Sequence, residues 1–241
     1  MTCVPELARQ QRHFSRCPIR FALYFTPPAD HPLVGRAASW LGRDAFGGET
    51  RAIPEARANV TESARRYGFH ATLKAPFRLH EGESVEALEA ALDRFARETA
   101  PVTIPVLALK QLGRFFALVP DEQPAELTAF AARVVEAFEP FRAPLSAAEI
   151  AKRSPETLPR PERDNLLRWG YPYVMDAFQF HMTLTDKIAP EESDAMRAEL
   201  EREFASFIGK PLAVDHLALF VEPEPGAPFT VQKLLRLEGR A

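Results

Sequence analysis

A near-duplication sets the terms for how this chain can fold. "FHATL" at 69–73 returns as "FHMTL" at 180–184, each followed by a helical pattern and then by similar strands, "VLALK" at 106–110 and "HLALF" at 216–220. From His70 to Leu107 is 37 residues and from His181 to Leu217 is 36, so motif and downstream spacing repeat together. A repeat of strand, helix, strand, strand without a βαβ glycine signature predicts an α+β fold of two pseudo-symmetric lobes, each an antiparallel sheet backed by helices, around a central cleft. The expected organisation is one bilobal domain over 1–241: a first unit at 67–138, a crossing segment at 139–160 and a second unit at 161–241. A strand at 19–28 is expected to pack into one of the lobes.

Local patterns place the remaining elements. "IRFALYFTPP" reads as a strand stopped by Pro27 and Pro28. "HPLVGRAASWLG" reads as a helix ending at Gly42, with His31 placed to cap its start. Residues 42–66 hold no clear element beyond a short helix. Val85, Leu88, Ala91, Leu92 and Phe95 recur at helical spacing behind Ser84 as N-cap, and Leu127 to Phe138 repeat the pattern. The stretches 102–110 and 113–120 read as strands, the first irregular at Pro105. A helix from Pro161 to Trp169 should end at Gly170. "AFQFHMTLTD" reads as a strand, followed by a helix from about Pro190, and 212–222 and 229–237 as two strands joined at Pro225 and Gly226.

In a strand, residues two apart share a face. His70, Thr72 and Lys74 should then project together, opposite Phe69, Ala71, Leu73 and Ala75. His181, Thr183 and Thr185 should project opposite Phe180, Met182 and Leu184. Either stretch alone is an ordinary half-buried strand with a few polar groups; the recurrence argues for a cleft with one His-x-Thr on each wall. Such a cleft suits in-line chemistry at phosphorus, which needs a base on one side and an acid on the other. Histidine serves both roles because its unperturbed pKa of about 6.5 leaves both forms accessible near neutrality. Thr72 and Thr183 can donate to nonbridging oxygens, and Lys74 would offset their growing charge. Neither metal nor cofactor is expected.

Composition narrows the partners. With 30 basic residues against 33 acidic ones the formal charge is -3, so no overall field draws the chain to duplex nucleic acid or to anionic lipid. Its 2 cysteines, Cys3 and Cys17, are too few for a disulfide framework or a four-ligand zinc site, which favours a reducing cytoplasm. The first twenty residues carry arginines and no central apolar run, against a secretory signal, and no apolar stretch is long enough to span a bilayer. A monomer acting on a small phosphorylated substrate or an RNA terminus is expected.

Two motifs of histidine, any residue, threonine and a hydrophobic residue in two like units resemble the 2H phosphoesterase superfamily of RNA cyclic phosphodiesterases and 2'-5' RNA ligase-like enzymes. The longer blocks "YFTPPADHPLVGRAASWLGRDAFGG", "RRYGFHATLKAPFRL" and "RWGYPYVMDAFQFHMTLT" resemble its DUF1045 branch, often labelled as phosphonate metabolism proteins. The likeness runs from about Ile19 onward. It implies that His70 and His181 are the catalytic pair and Thr72 and Thr183 the phosphate-binding hydroxyls of a 2H-type phosphodiesterase. The substrate class it implies is a cyclic phosphodiester of a nucleotide, RNA end or ribose phosphate.

Flanking residues supply candidate substrate contacts. Arg66 or Arg65 could take a second phosphate, Tyr171 or Tyr173 could stack on a base or ribose, and Tyr67 and Thr185 could also touch the substrate. Lys152 and Arg153 could close over the cleft, solvated charge being the plainer account, and the direction of Arg78 beyond Pro76 is open. His216 reads as structural, and His13 and His80 have no partner motif. Two other functions compete: a metal-dependent hydrolase, which would need a third ligand, and a non-catalytic nucleotide- or RNA-binding module. No G-x-x-x-x-G-K-[ST] or G-x-S-x-G occurs, which disfavours a P-loop ATPase and a serine hydrolase.

Overall fold

The computed structural model describes residues 19–240, so Cys3, Cys17, His13 and the arginine-bearing leader lie outside the described residues. The chain opens with strand β1 (Arg20–Phe25) and helix α1 (Pro32–Leu41), whose N-cap is His31: its Nδ1 accepts from Leu33 N at 3.2 Å. The stretch 42–66, expected to hold no more than one short helix, holds two, α2 (Glu55–Asn59) and α3 (Glu62–Tyr67). Strand β2 (Ala71–Phe77), helix α4 (Val85–Glu98) and strands β3 (Val102–Ile104), β4 (Leu107–Leu112) and β5 (Phe115–Pro120) follow. Ser84 caps α4 by accepting from Ala87 N, and Pro105 splits what the pattern joined as one strand.

Helix α5 (Ala125–Ala137) leads into a crossing with a short α-helix, α6 (Ala147–Ala151), between two 3-10 turns, Glu139–Phe141 and Pro155–Thr157, and then α7 (Arg160–Trp169). Strand β6 (Met182–Thr183), helix α8 (Ser193–Glu203) and strands β7 (Leu212–Val214), β8 (His216–Glu222) and β9 (Thr230–Arg236) complete the chain. The second motif thus forms only two residues of strand where the alternation predicts a longer one.

All described strands but two join one antiparallel sheet in the order β4-β5-β6-β2-β1-β8-β9, and β3 pairs with β7 separately. The arrangement is α+β, but the two like units share this sheet instead of each building its own. The order also resets the frame of the repeat. Equating β1 with β5, β2 with β6 and β4 with β8 makes the first six positions read the same from either end. Strand β1 is therefore the counterpart of β5, a full member of the repeat, and β9 is the added edge. Local spacing could not reveal this, because β1 and β5 share no motif.

The helices cover one face of the sheet. Phe21, Leu23 and Phe25 of β1 enter the main core with Leu88 and Leu92 of α4 and Leu127, Phe130 and Val134 of α5. Ala22 and Tyr24 point the other way, into a small cluster with Ala218, Phe220 and Phe229. Trp40 of α1, 1% exposed, donates from Nε1 to Leu184 O at 2.8 Å and ties the helix layer to the second motif. No described helix is long and apolar enough to cross a membrane.

Candidate active site

The two motifs meet at the middle of the sheet. Strands β2 and β6 touch through one antiparallel pair, Ala71 with Met182, which are the variable residues of the two His-x-Thr motifs. Both are fully buried toward the helices. Strand alternation then turns His70, Thr72, His181 and Thr183 to the opposite face, and the antiparallel register sets each histidine beside the other motif's threonine. That face carries a cavity of about 310 Å³ lined by all four, together with Tyr24, Tyr67, Tyr171, Arg153 and Asp186.

The histidines are held alike. Nδ1 of His70 lies 2.9 Å from Gly68 O, and Nδ1 of His181 lies 2.8 Å from Gln179 O, the carbonyl two residues earlier in each case. A carbonyl only accepts, so Nδ1 carries the proton and Nε2 is the free nitrogen of the neutral ring. Thr72 Oγ1 sits 3.3 Å from His70 Nε2. The first of these carbonyls depends on its glycine: Gly68 has φ 77, and a Cβ there would stand 2.6 Å from the Ala45 Cβ.

Burial lowers the proton affinity of both rings. His70 is pulled down to about 4 by desolvation and further by the nearby His181, with the Gly68 carbonyl opposing. His181 is lowered by desolvation too, with the Gln179 carbonyl opposing. The Tyr24 ring stacks on His70 with centroids 3.9 Å apart and planes at 27°, a surface that attracts an imidazolium once a proton arrives. Asp186 lines the cavity, but its oxygens accept from Ser63 N at 2.8 Å and Ala64 N at 3.2 Å at the start of α3. Among the described residues no group of three or more His, Cys, Asp or Glu side chains is placed to hold a metal ion.

Two expected contacts are corrected. Lys74 does not face the cavity. Leu23 pairs with Lys74 and Tyr24 with Thr72, so β2 carries an extra residue, Leu73, against β1. Such a bulge reverses the alternation and puts Lys74 opposite Leu23 on the core face. There it is 2% exposed, with Nζ 2.7 Å from Glu139 Oε2 and 3.1 Å from Val135 O. Thr185 is likewise fully buried: the N–H groups of Leu184 and Thr185 both donate to Phe116 O, and Thr185 Oγ1 accepts from Phe116 N at 2.9 Å. On both walls the polar residue four after the histidine is turned into the core.

The other candidates divide. Tyr67 and Tyr171 line the cavity. Tyr173, 51% exposed, stands in an adjoining space of about 680 Å³ that also reaches Thr72, Tyr171 and His181. Arg66 does not line the cavity; it pairs with Glu222 and donates to Ala227 O at 3.4 Å. Tyr24 had no signal in the local pattern, since it reads as one aromatic in an apolar strand and acquires its place only by pairing with Thr72. His216 bonds the Asp215 carboxylate at 2.7 Å, away from the cavity.

Residues 72–230 match the family described as "Protein of unknown function (DUF1045)". A ribose 1,5-bisphosphate phosphokinase PhnN of Janthinobacterium sp. (strain Marseille) is 38% identical over 232 residues, covering 92% of this chain and 51% of the relative. The protein of that name from Laribacter hongkongensis (strain HLHK9) is 36% identical over 229 residues, covering 91% and 52%. The chain thus spans about half the length of the curated relatives it matches. Among solved structures, TT0787 of Thermus thermophilus overlays with a TM-score of 0.45 at 17% identity, covering 92% of this chain and 100% of that one. E. coli LigT complexed with 3'-AMP does so with a TM-score of 0.43 at 16% identity, covering 91% and 98%. At these scores the overlays fix no chemistry. The family match covers about two thirds of the chain, Thr72, His181 and Thr183 among it, and is of another order: this chain belongs to the DUF1045 family.

Proposed function

We propose that this protein is a metal-independent phosphodiesterase that opens a cyclic phosphodiester by general acid-base catalysis between His70 and His181. The observation that carries the reading is the matched anchoring of two histidines in one cavity, each with Nδ1 on a carbonyl and Nε2 left for proton transfer. A merely structural histidine has no need of a second, similarly held partner.

In this reading water attacks phosphorus in line with the departing sugar oxygen. His70 Nε2 takes the water proton and His181 Nε2–H delivers one to the leaving oxygen, so a P–O bond forms as another breaks and a phosphate monoester results. Burial favours the neutral His70 that a base requires, and the Tyr24 face receives the imidazolium formed. Hydroxyls of Thr72 and Thr183 donate to the nonbridging oxygens, and Arg153 balances their charge. The two histidines end with their protons exchanged and are reset through solvent.

Among cyclic phosphodiesters we favour one built on ribose phosphate. The relatives are named for a kinase of ribose 1,5-bisphosphate, and the chain matches about half of them while lacking the G-x-x-x-x-G-K-[ST] loop. The kinase is thus assigned to their other half, and this half to a step that supplies it. Opening a 1,2-cyclic phosphate of ribose 5-phosphate at O2 yields ribose 1,5-bisphosphate, which fits the place in phosphonate metabolism suggested by resemblance. The test is turnover of ribose and nucleoside cyclic phosphates in the presence of chelator. Activity that a chelator removes and a divalent metal restores would favour the metal-dependent reading instead.

A further inference from the structure

A second chamber of about 360 Å³ adjoins the catalytic cavity, the two sharing Pro76 and Arg153. Arg20, Arg78, Lys152 and Arg153 line it, with Glu149. Arg78 Nη2 is paired with Glu149 at 2.9 Å, and Arg20 shares the fully buried Glu222 with Arg66. Among the described residues Lys152 and Arg153 pair with no carboxylate. Four cations thus line the chamber against one carboxylate, in a chain whose formal charge is -3. Solvated lysines and arginines on an ordinary face have no reason to converge on a concavity next to a reaction centre.

The segment that carries the free cations is held in place. Helix α6 opens with a full capping box, in which Ser146 and Glu149 satisfy each other's backbone N–H, and Glu149 also takes Arg78. Directly after Arg153 the backbone enters the left-handed region at Ser154, φ 44, unusual for a residue with a side chain. The turn sets the Arg153 guanidinium over the Tyr171 ring, 5.0 Å from its centroid, at the mouth shared by the two chambers.

We propose that this chamber seats a second, non-reacting phosphate of the substrate, so that the enzyme selects sugar cyclic phosphates bearing a terminal phosphomonoester. The proposal rests on the phosphodiesterase reading for which phosphate reacts, but not for whether the chamber binds one. A phosphomonoester dianion answers the charge excess better than the single charge of a chain phosphodiester. Lys152 and Arg78 are specificity residues in this account, and Arg153 spans both phosphates.

The experiment compares kcat/KM for ribose 5-phosphate 1,2-cyclic phosphate, ribose 1,2-cyclic phosphate and a dinucleotide ending in a 2',3'-cyclic phosphate. The doubly phosphorylated sugar should be preferred over its unphosphorylated analogue by about 100-fold, and Lys152→Ala and Arg78→Ala should each cut that ratio by about 10-fold or more. Lys152→Glu, at an exposed position, should abolish it without loss of fold. Equal turnover of the two sugars, a ratio unmoved by the variants, or preference for the dinucleotide would overturn the proposal. If no cyclic phosphate is turned over, calorimetry with ribose 5-phosphate decides separately. Binding lost in Lys152→Glu upholds the chamber while the phosphodiesterase reading falls; no binding to the wild type overturns the chamber.

Discussion

Replacing Lys74 by methionine separates a phosphate ligand from a structural lysine. The methionine keeps most of the stem that packs against the core and removes only the ammonium. Two partners lose a donor: Val135 O and Glu139. Glu139 is not orphaned, because Arg142 still donates to it at 2.6 Å and 3.0 Å. The penalty of about 3–5 kcal/mol for stranding a buried charge is therefore avoided. What remains is the unsatisfied carbonyl, worth about 1–3 kcal/mol. In a chain of this size that corresponds to a fall in Tm of roughly 2–12 °C. Thermal denaturation and steady-state kinetics on the same preparation make the assay, with kcat/KM expected to stay within about threefold of wild type once the protein is folded. A loss of about 100-fold or more in kcat/KM at unchanged Tm would refute the bulge argument and return Lys74 to the phosphate site.

Further predictions concern the reacting groups. The kcat/KM profile should be a bell whose acid limb reports the His70 base near 4 and whose alkaline limb reports His181 below 6.5, because desolvation lowers both in the free enzyme. Bound phosphate favours imidazolium, so the kcat profile should shift upward; an alkaline limb of kcat/KM above 7 would contradict the assignment. Thr72→Val and Thr183→Val should each lower kcat by about 10- to 1,000-fold while leaving Tm within a few degrees, as removal of a donor to a charged oxygen does. Unchanged kcat in both would remove the hydroxyls from the mechanism.

The helices were the most legible part of the sequence, because their signals are local. Leu88 and Leu92 at period 3.6 behind Ser84, and the run ending at Gly42, depend on neighbours within a turn or two. The candidate site was legible at one remove: alternation correctly set His70 with Thr72 and His181 with Thr183 on one face, since Ala71 and Met182 between them are buried. Alternation failed two residues later, where bulges against β1 and Phe116 turn Lys74 and Thr185 inward. A bulge is a property of a strand pair, and the partner lies 51 residues away for Lys74 and 69 for Thr185. The same reason hid Tyr24, whose partner across the sheet is Thr72, and the true frame of the repeat. Arg153 and Lys152 looked like solvated charge because nothing in their own segment tells of the chamber they enter.

The central claim is that two carbonyl-anchored histidines, His70 neutral as base and His181 protonated as acid, share one proton-transfer task at phosphorus. Phosphorus-31 NMR of ribose 5-phosphate 1,2-cyclic phosphate, in chelator, with wild type, His70→Ala and His181→Ala, tests it most directly. The account predicts conversion of the cyclic resonance to a monoester by the wild type and rates lower by about 100- to 10,000-fold in each variant, with both variants folded. Near wild-type conversion by either variant would contradict it.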